Sequence, residues 1–197
     1  LGNTLIVGSR NENFYYGGVF SGGGALTKVG TGEFEIQYDA TRTGATTINE
    51  GSIRVYSSAS LGNTTTNGIT VANSGTLIFD FTGSAVAKAL SLGGVGSSGD
   101  GIVFKSIANP TIPNPLTITS PCIIDGAGAD MTFTGGNSIA GTNTSLAIQN
   151  ASYVYLDKVI AIGSGSLTVY ASAVELGRAN PNWSGSLITR GCYGTYV

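Results

Sequence analysis

Apolar residues in this chain recur at every second position, in short bursts. Leu5-Ile6-Val7, Phe34-Glu35-Ile36, Ile53-Arg54-Val55, Leu77-Ile78-Phe79, Ile102-Val103-Phe104, Leu116-Thr117-Ile118, Met131-Thr132-Phe133, Leu146-Ala147-Ile148, Val154-Tyr155-Leu156 and Leu167-Thr168-Val169 all follow the pattern. Period two places alternate side chains in a core and the others outside, so each burst predicts a strand. Clusters of Gly, Asn, Ser and Thr separate the bursts and predict turns. Helix signals are nearly absent: only Ser84 to Leu92, with Ala85, Ala87, Lys88 and Ala89, strings helix formers together, and it is short.

The spacing of the bursts carries more than the bursts themselves. Apolar anchors at Ile53, Leu77, Ile102, Ile123, Leu146, Leu167 and Leu187 lie 24, 25, 21, 23, 21 and 20 residues apart. A period of roughly 22 residues predicts a solenoid, about nine coils across the chain, in which each coil buries its apolar side only against its neighbours. A β-sandwich is the alternative. It needs paired hairpins with tight turns every 8–12 residues, and Asn67-Gly68 and Asp125-Gly126 come nearest to supplying them. The prediction is therefore all-β, a parallel β-helix before a sandwich, with residues 1–197 as a single elongated module. A longer echo is superposed on it: Leu26-Thr27 recurs as Leu167-Thr168, Phe34 and Ile36 as Val174 and Leu176, and Thr43-Gly44 as Ser184-Gly185. This marks 24–56 and 165–192 as two copies of one repeat-like segment.

Composition narrows the chemistry. The 197 residues include 31 glycines, 10% charged residues and no histidine, with a net charge of -2. Without imidazole there is no Ser-His-Asp or Cys-His catalysis and no His-ligated metal. Nine scattered cations cannot track a phosphate backbone, so nucleic acid is not an expected partner. Apolar residues at 41% argue against disorder. No apolar run is long enough to suggest a membrane-spanning helix, so membrane insertion of this segment is not expected. The first residues, Leu1-Gly2-Asn3-Thr4, have neither Met nor the basic and apolar regions of a signal peptide, which suggests a processed product or an excised piece.

The stretch Leu26-Thr27-Lys28-Val29-Gly30-Thr31-Gly32-Glu33-Phe34-Glu35-Ile36, followed by Thr43-Gly44-Ala45-Thr46-Thr47-Ile48-Asn49-Glu50-Gly51-Ser52-Ile53-Arg54-Val55, resembles the autotransporter-associated β-strand repeat of bacterial surface proteins. The match covers about 30 residues, in order: Leu-Thr-Lys, two spaced glycines, an alternating strand, Thr-Gly, Thr-Thr-Ile-Asn, Gly and a closing strand. The family's aromatic before Thr-Gly is Arg42 here, and Trp183-Ser184-Gly185 resembles the same step in the second copy. The resemblance implies a right-handed parallel β-helix in a secreted or surface-exposed passenger region. It implies no catalytic residues and no cofactor.

Candidate chemistry is sparse. Asp125 to Phe133, with Gly126-Ala127-Gly128-Ala129-Asp130, resembles one imperfect calcium-binding β-roll repeat, a motif that works in tandem; an ordinary solenoid corner is the expected reading, and no metal. Glycoside hydrolysis needs two carboxylates at a set separation. The aspartates stand singly, and Glu33 and Glu35 share one outward strand face beside Phe34 and Ile36, so no enzymatic activity is expected. Cys122 and Cys192 are either buried inert thiols, a bridge between subunits, or an internal bridge. By the anchor series they lie about three coils apart, roughly 14 Å, beyond the Cα separation a disulfide accepts. Aromatics gather toward both ends: Phe14, Tyr15, Tyr16 and Phe20 at one, Trp183, Tyr193 and Tyr196 at the other. They either cap the core or form an end-to-end contact between molecules. Solenoid ends expose strand edges and usually carry polar caps; neither terminus shows such a cap in the sequence.

Two functions fit. The first is an extracellular structural protein, a β-helical subunit or passenger segment of a bacterial surface fibre, sheath or matrix that stacks on itself. The second is an adhesin that holds glycan or a cell surface along its flank, with Tyr15, Tyr153 or Tyr155 stacking on sugar rings.

Overall fold

The computed structural model describes residues 2–62, 64–178, 180, 183–192 and 194–196, the last three as backbone. Nineteen strands follow one another: β1 (Leu5–Val7), β2 (Phe14–Tyr16), β3 (Leu26–Lys28), β4 (Glu33–Ile36), β5 (Thr46–Val55), β6 (Ile69–Phe79), β7 (Gly83–Ser84), β8 (Leu90–Leu92), β9 (Ile102–Ser106), and β10 (Pro110–Ile112). They continue as β11 (Leu116–Ile118), β12 (Cys122–Asp125), β13 (Met131–Phe133), β14 (Ser138–Gly141), β15 (Leu146–Leu156), β16 (Val159–Ala161), β17 (Leu167–Leu176), β18 (Leu187–Arg190) and β19 (Gly194–Tyr196). No helix occurs among the described residues. The helix formers at Ser84 to Leu92 give β7, a loop and β8 instead.

Each strand-to-strand pairing is parallel, and the partners lie one coil apart. Leu26 stands beside Thr46, 20 residues on, and Leu90 beside Leu116, 26 residues on. The fold is thus a parallel β-helix and not a sandwich. Its coils pass through three rows of strands. The first row stacks β1, β3, β5, β6, β8, β11, β14 and β16. The second stacks β2, β4, β5, β6, β9, β12, β15, β17 and β18, nine rungs in all. The third stacks β7, β10, β13, β15, β17 and β19.

Period two explains the core. In β4 the pattern alternates between half-buried Glu33 and Glu35 and buried Phe34 and Ile36. Phe34, Ile53, Leu77, Phe104, Ile124, Ile148 and Val169 then form one continuous inward column of the second row. Two of the seven sequence anchors are out of phase with it. Leu77 pairs with Phe104 rather than Ile102, and the register shifts between Ile123 and Ile124. The irregularity leaves Ile102 and Ile123 half-buried and hands the core positions to Phe104 and to Ile124 with Cys122. Long strands turn the corner between two rows without breaking: β5 does so at Gly51, β6 at Asn73 and β15 at Asn150, all with positive φ. Glycine and asparagine are the residues that tolerate that conformation best.

The two echo segments do not lie on the same side of the solenoid. Leu26 and Phe34 occupy the first and second rows, whereas Leu167 and Val174 occupy the second and third. In the first segment two strands, β3 and β4, precede the irregular stretch, whereas in the second a single continuous strand, β17, does.

Candidate functional site

Four of the nine cations are inside. Lys28, Arg42, Lys88 and Lys158 are each 2% exposed or less. Lys28 alternates with Thr27, so β3 points it inward with Leu26. Its Nζ donates to Val29 O at 2.8 Å, Gly30 O at 2.6 Å and Glu50 O at 3.3 Å. Burial lowers its pKa, with the Glu50 charge opposing. Arg42, Lys88 and Lys158 share another corner, where the coil enters the first row. Arg42 bonds three successive coils: Gly24 O at 3.2 Å, Ala45 O at 2.7 Å with Thr46 Oγ1 at 2.7 Å, and Leu61 O at 3.3 Å. Lys88 donates to Thr66 O at 3.2 Å. Lys158 donates to Asn114 O and Thr134 O, both at 2.9 Å, and to Asn137 Oδ1 at 2.5 Å. Burial lowers all three, Lys158 to about 8. Asn114 joins the spine, its Nδ2 donating to Val86 O and Lys88 O. Turn carbonyls that point inward at a tight corner need donors, and a cation on a long stem satisfies several at once.

Period two could have identified Lys28 as inward. Arg42, Lys88 and Lys158 stand in turns, where no periodicity reports which way a side chain points. Arg42, before Thr43-Gly44, is fully buried and makes only polar contacts at its guanidinium.

The outer face of the second row carries half-buried charge. Arg54 bonds Asp80 Oδ2 at 2.5 Å and stands 3.8 Å from Glu33 Oε1. Its guanidinium lies 5.1 Å from the centre of the Tyr56 ring, and Tyr56 donates to Glu35 at 2.8 Å. Next to it a groove of about 220 Å³ runs past Ser52, Thr76, Ser97, Asp100 and Lys105. Glu33 and Glu35 are therefore held by separate partners, Ser52 with Arg54 and Tyr56 respectively. Asp125 is 6% exposed and closes a corner. It accepts from Ala127 N at 2.6 Å, Asn150 Nδ2 at 3.2 Å and Gln149 Nε2 at 3.4 Å. Among the described residues no three His, Cys, Asp or Glu side chains converge.

The aromatics of the first pole divide by role. Phe14 stacks on Phe34 with ring centres 4.4 Å apart, Tyr16 stacks on Phe20 at 4.3 Å, and Phe20 meets Phe34 edge-on. Phe20 is buried, while Tyr15 and Tyr16 are exposed. An open cleft of about 310 Å³ beside them is lined by Val7, Gly8, Ser9, Arg10, Glu12 and Phe14. At the other pole Trp183 is half-buried against the core, and its Nε1 donates to Gly165 O at 3.0 Å. Tyr193 and the side chain of Tyr196 lie outside the described residues. Of the tyrosines expected to stack on sugar, Tyr153 and Tyr155 are half-buried, and Tyr153 donates to Glu175 at 2.5 Å.

Both cysteines are free thiols. Cys122 faces the core at 5% exposure, and burial pushes it up to about 12. That is the position of a buried thiol packed in the core. Cys192 is half-buried beyond β18, three rungs further along. No helix among the described residues is long and apolar enough to cross a membrane. No protein-family model, curated protein or solved structure matches the chain, so the fold and the side-chain geometry are what bear on its function.

Proposed function

We propose that this chain is a non-enzymatic structural rod, a β-helical subunit or passenger-type segment of a bacterial surface fibre, sheath or matrix that lengthens by stacking end to end on further copies. The observation that carries the proposal is the state of the two poles. Among the described residues β1 and β2 are paired on one side only, as are β18 and β19. Ile6, Tyr15, Tyr16 and Val19 stand exposed at the first pole and Ile188 at the second. An unpaired edge offers a row of N–H and C=O groups to another strand. Stacking head to tail keeps every strand parallel and leaves a fresh pole each time, which is an open, heterologous contact. The likeness of residues 26–55 to the autotransporter-associated repeat supports a secreted or cell-surface setting.

Negative-stain electron microscopy of the purified chain tests this. Filaments one rod wide, with an axial repeat of about 43 Å for nine rungs, are expected. Their loss in reductant would place Cys192 at the joint. Isolated short rods at all concentrations would overturn the proposal, and their retention on a glycan array would favour the adhesin.

A further inference from the structure

Lys158 and Asn137 meet inside the corner leading into the first row. They belong to neighbouring coils, since Ser138 pairs with Val159. Lys158 is 1% exposed. Its Nζ donates to Asn137 Oδ1. Asn114 O and Thr134 O hold the same nitrogen from other sides. The Asn137 amide is pinned as well, because its Nδ2 donates to Pro113 O at 2.7 Å. Its carbonyl end therefore faces the lysine. Burial pulls Lys158 down to about 8, which leaves a neutral, nucleophilic fraction near neutral pH.

We propose that Lys158 and Asn137 form a spontaneous isopeptide cross-link that staples these two coils. The neutral Nζ adds its lone pair to Cγ of Asn137, and the carbonyl π electrons move onto Oδ1. Collapse restores the C=O bond and breaks Cγ–Nδ2. Nδ2 departs as ammonia and carries off the proton that Nζ gives up. An amine and a primary amide thus become a secondary amide and ammonia, with no oxidant and no cofactor. The cage supplies proximity, its largest contribution, because the amine and the amide are already hydrogen-bonded to each other before reaction. Among the described residues no Asp or Glu side chain hydrogen-bonds to either partner, so proton transfer lacks a general acid and the step is slow. The cross-link is independent of the proposed function and serves a rod that bears tension or one that carries a ligand.

The test is mass spectrometry of the whole chain, fresh and after incubation at mildly alkaline pH. A species lighter by one ammonia is expected to accumulate. After denaturation, trypsin cuts the unlinked chain at Lys105, Lys158 and Arg178, giving peptides 106–158 and 159–178. The linked chain gives one uncut 106–178 peptide lacking ammonia, with fragmentation joining Asn137 to Lys158. Asn137→Ala and Lys158→Arg are each expected to keep the full mass. Should neither variant fold, the wild-type peptide map decides alone. Full mass after long incubation, with cleavage at Lys158, overturns the proposal. So does ammonia loss confined to a succinimide at Asn67-Gly68.

Discussion

Arg42→Met tests whether the buried cations hold the coils together. The substitution keeps most of the side-chain volume and removes the guanidinium. Ala45 O retains a second donor, Leu26 N at 2.9 Å. Gly24 O and Leu61 O, one coil below and one above, lose the bond that Arg42 gives them. A buried carbonyl left without a donor costs about 1–3 kcal/mol. Two such groups, less the relief of no longer burying a charge, give a net loss of about 3 kcal/mol. For a chain near 200 residues that is a drop in Tm of about 6–12 °C. Arg42→Lys, whose single nitrogen reaches part of the set, is expected to fall between. Lys105→Met is the control: Lys105 points outward from β9 with no hydrogen bond or ion pair among the described residues, and a change within about 0.5 kcal/mol is expected. Differential scanning calorimetry reads all three. An Arg42→Met variant that melts with the wild type would refute the reasoning, because it would mean that desolvating the guanidinium costs as much as its bonds return.

Under native conditions a thiol reagent is expected to label Cys192 quickly and Cys122 only after denaturant is added; equal rates would contradict the burial of Cys122. The Cys122 proton also links stability to pH. In the fold it is held up to about 12 against an ordinary 9.0, so its contribution is whole below pH 9 and is lost as pH rises beyond it. Lys158 works in the opposite sense between about 8 and 10.5 while its amine is free. Comparing urea midpoints of wild type and Cys122→Ala across pH isolates the thiol, and their difference should shrink above pH 9. Gly165→Ala puts a Cβ 1.6 Å from Thr144 O and is expected to cost about 3 kcal/mol. Gly23→Ala, whose nearest neighbour is 3.8 Å away, should be nearly neutral in the same melt. Raising the ionic strength is expected to add side-by-side bundling to end-to-end growth, read as increased filament width in micrographs; unchanged widths would count against a negative flank.

The strands were legible because period two is a property of the backbone that side chains only report. Coil spacing was legible for the same reason, until the backbone departed from it. Ile102 and Ile123 fit the interval, yet an irregularity in pairing hands their places to Phe104 and Ile124. The two segments 24–56 and 165–192 fall on different rows of the solenoid, because sequence does not say on which face of the rod a coil begins. The poles were legible as clusters of aromatics. Which of them seal the core is settled by packing: Phe20 is buried while Tyr15, five residues earlier, stands in the open.

The deepest loss of information concerns charge. The sequence carries nine cations and eleven acids, a near balance. The fold takes Lys28, Arg42, Lys88 and Lys158 inside, and of the acids only Asp125. Five cations therefore face ten acids outside, so the exterior is more negative than the net charge of -2 suggests. Like charge along a flank opposes sideways contact between rods. The poles offer backbone groups whose attraction does not depend on that charge. Burying the cations accomplishes two things at once: it gives corner carbonyls their donors, and under the proposed stacking it would favour growth along the axis over growth across it.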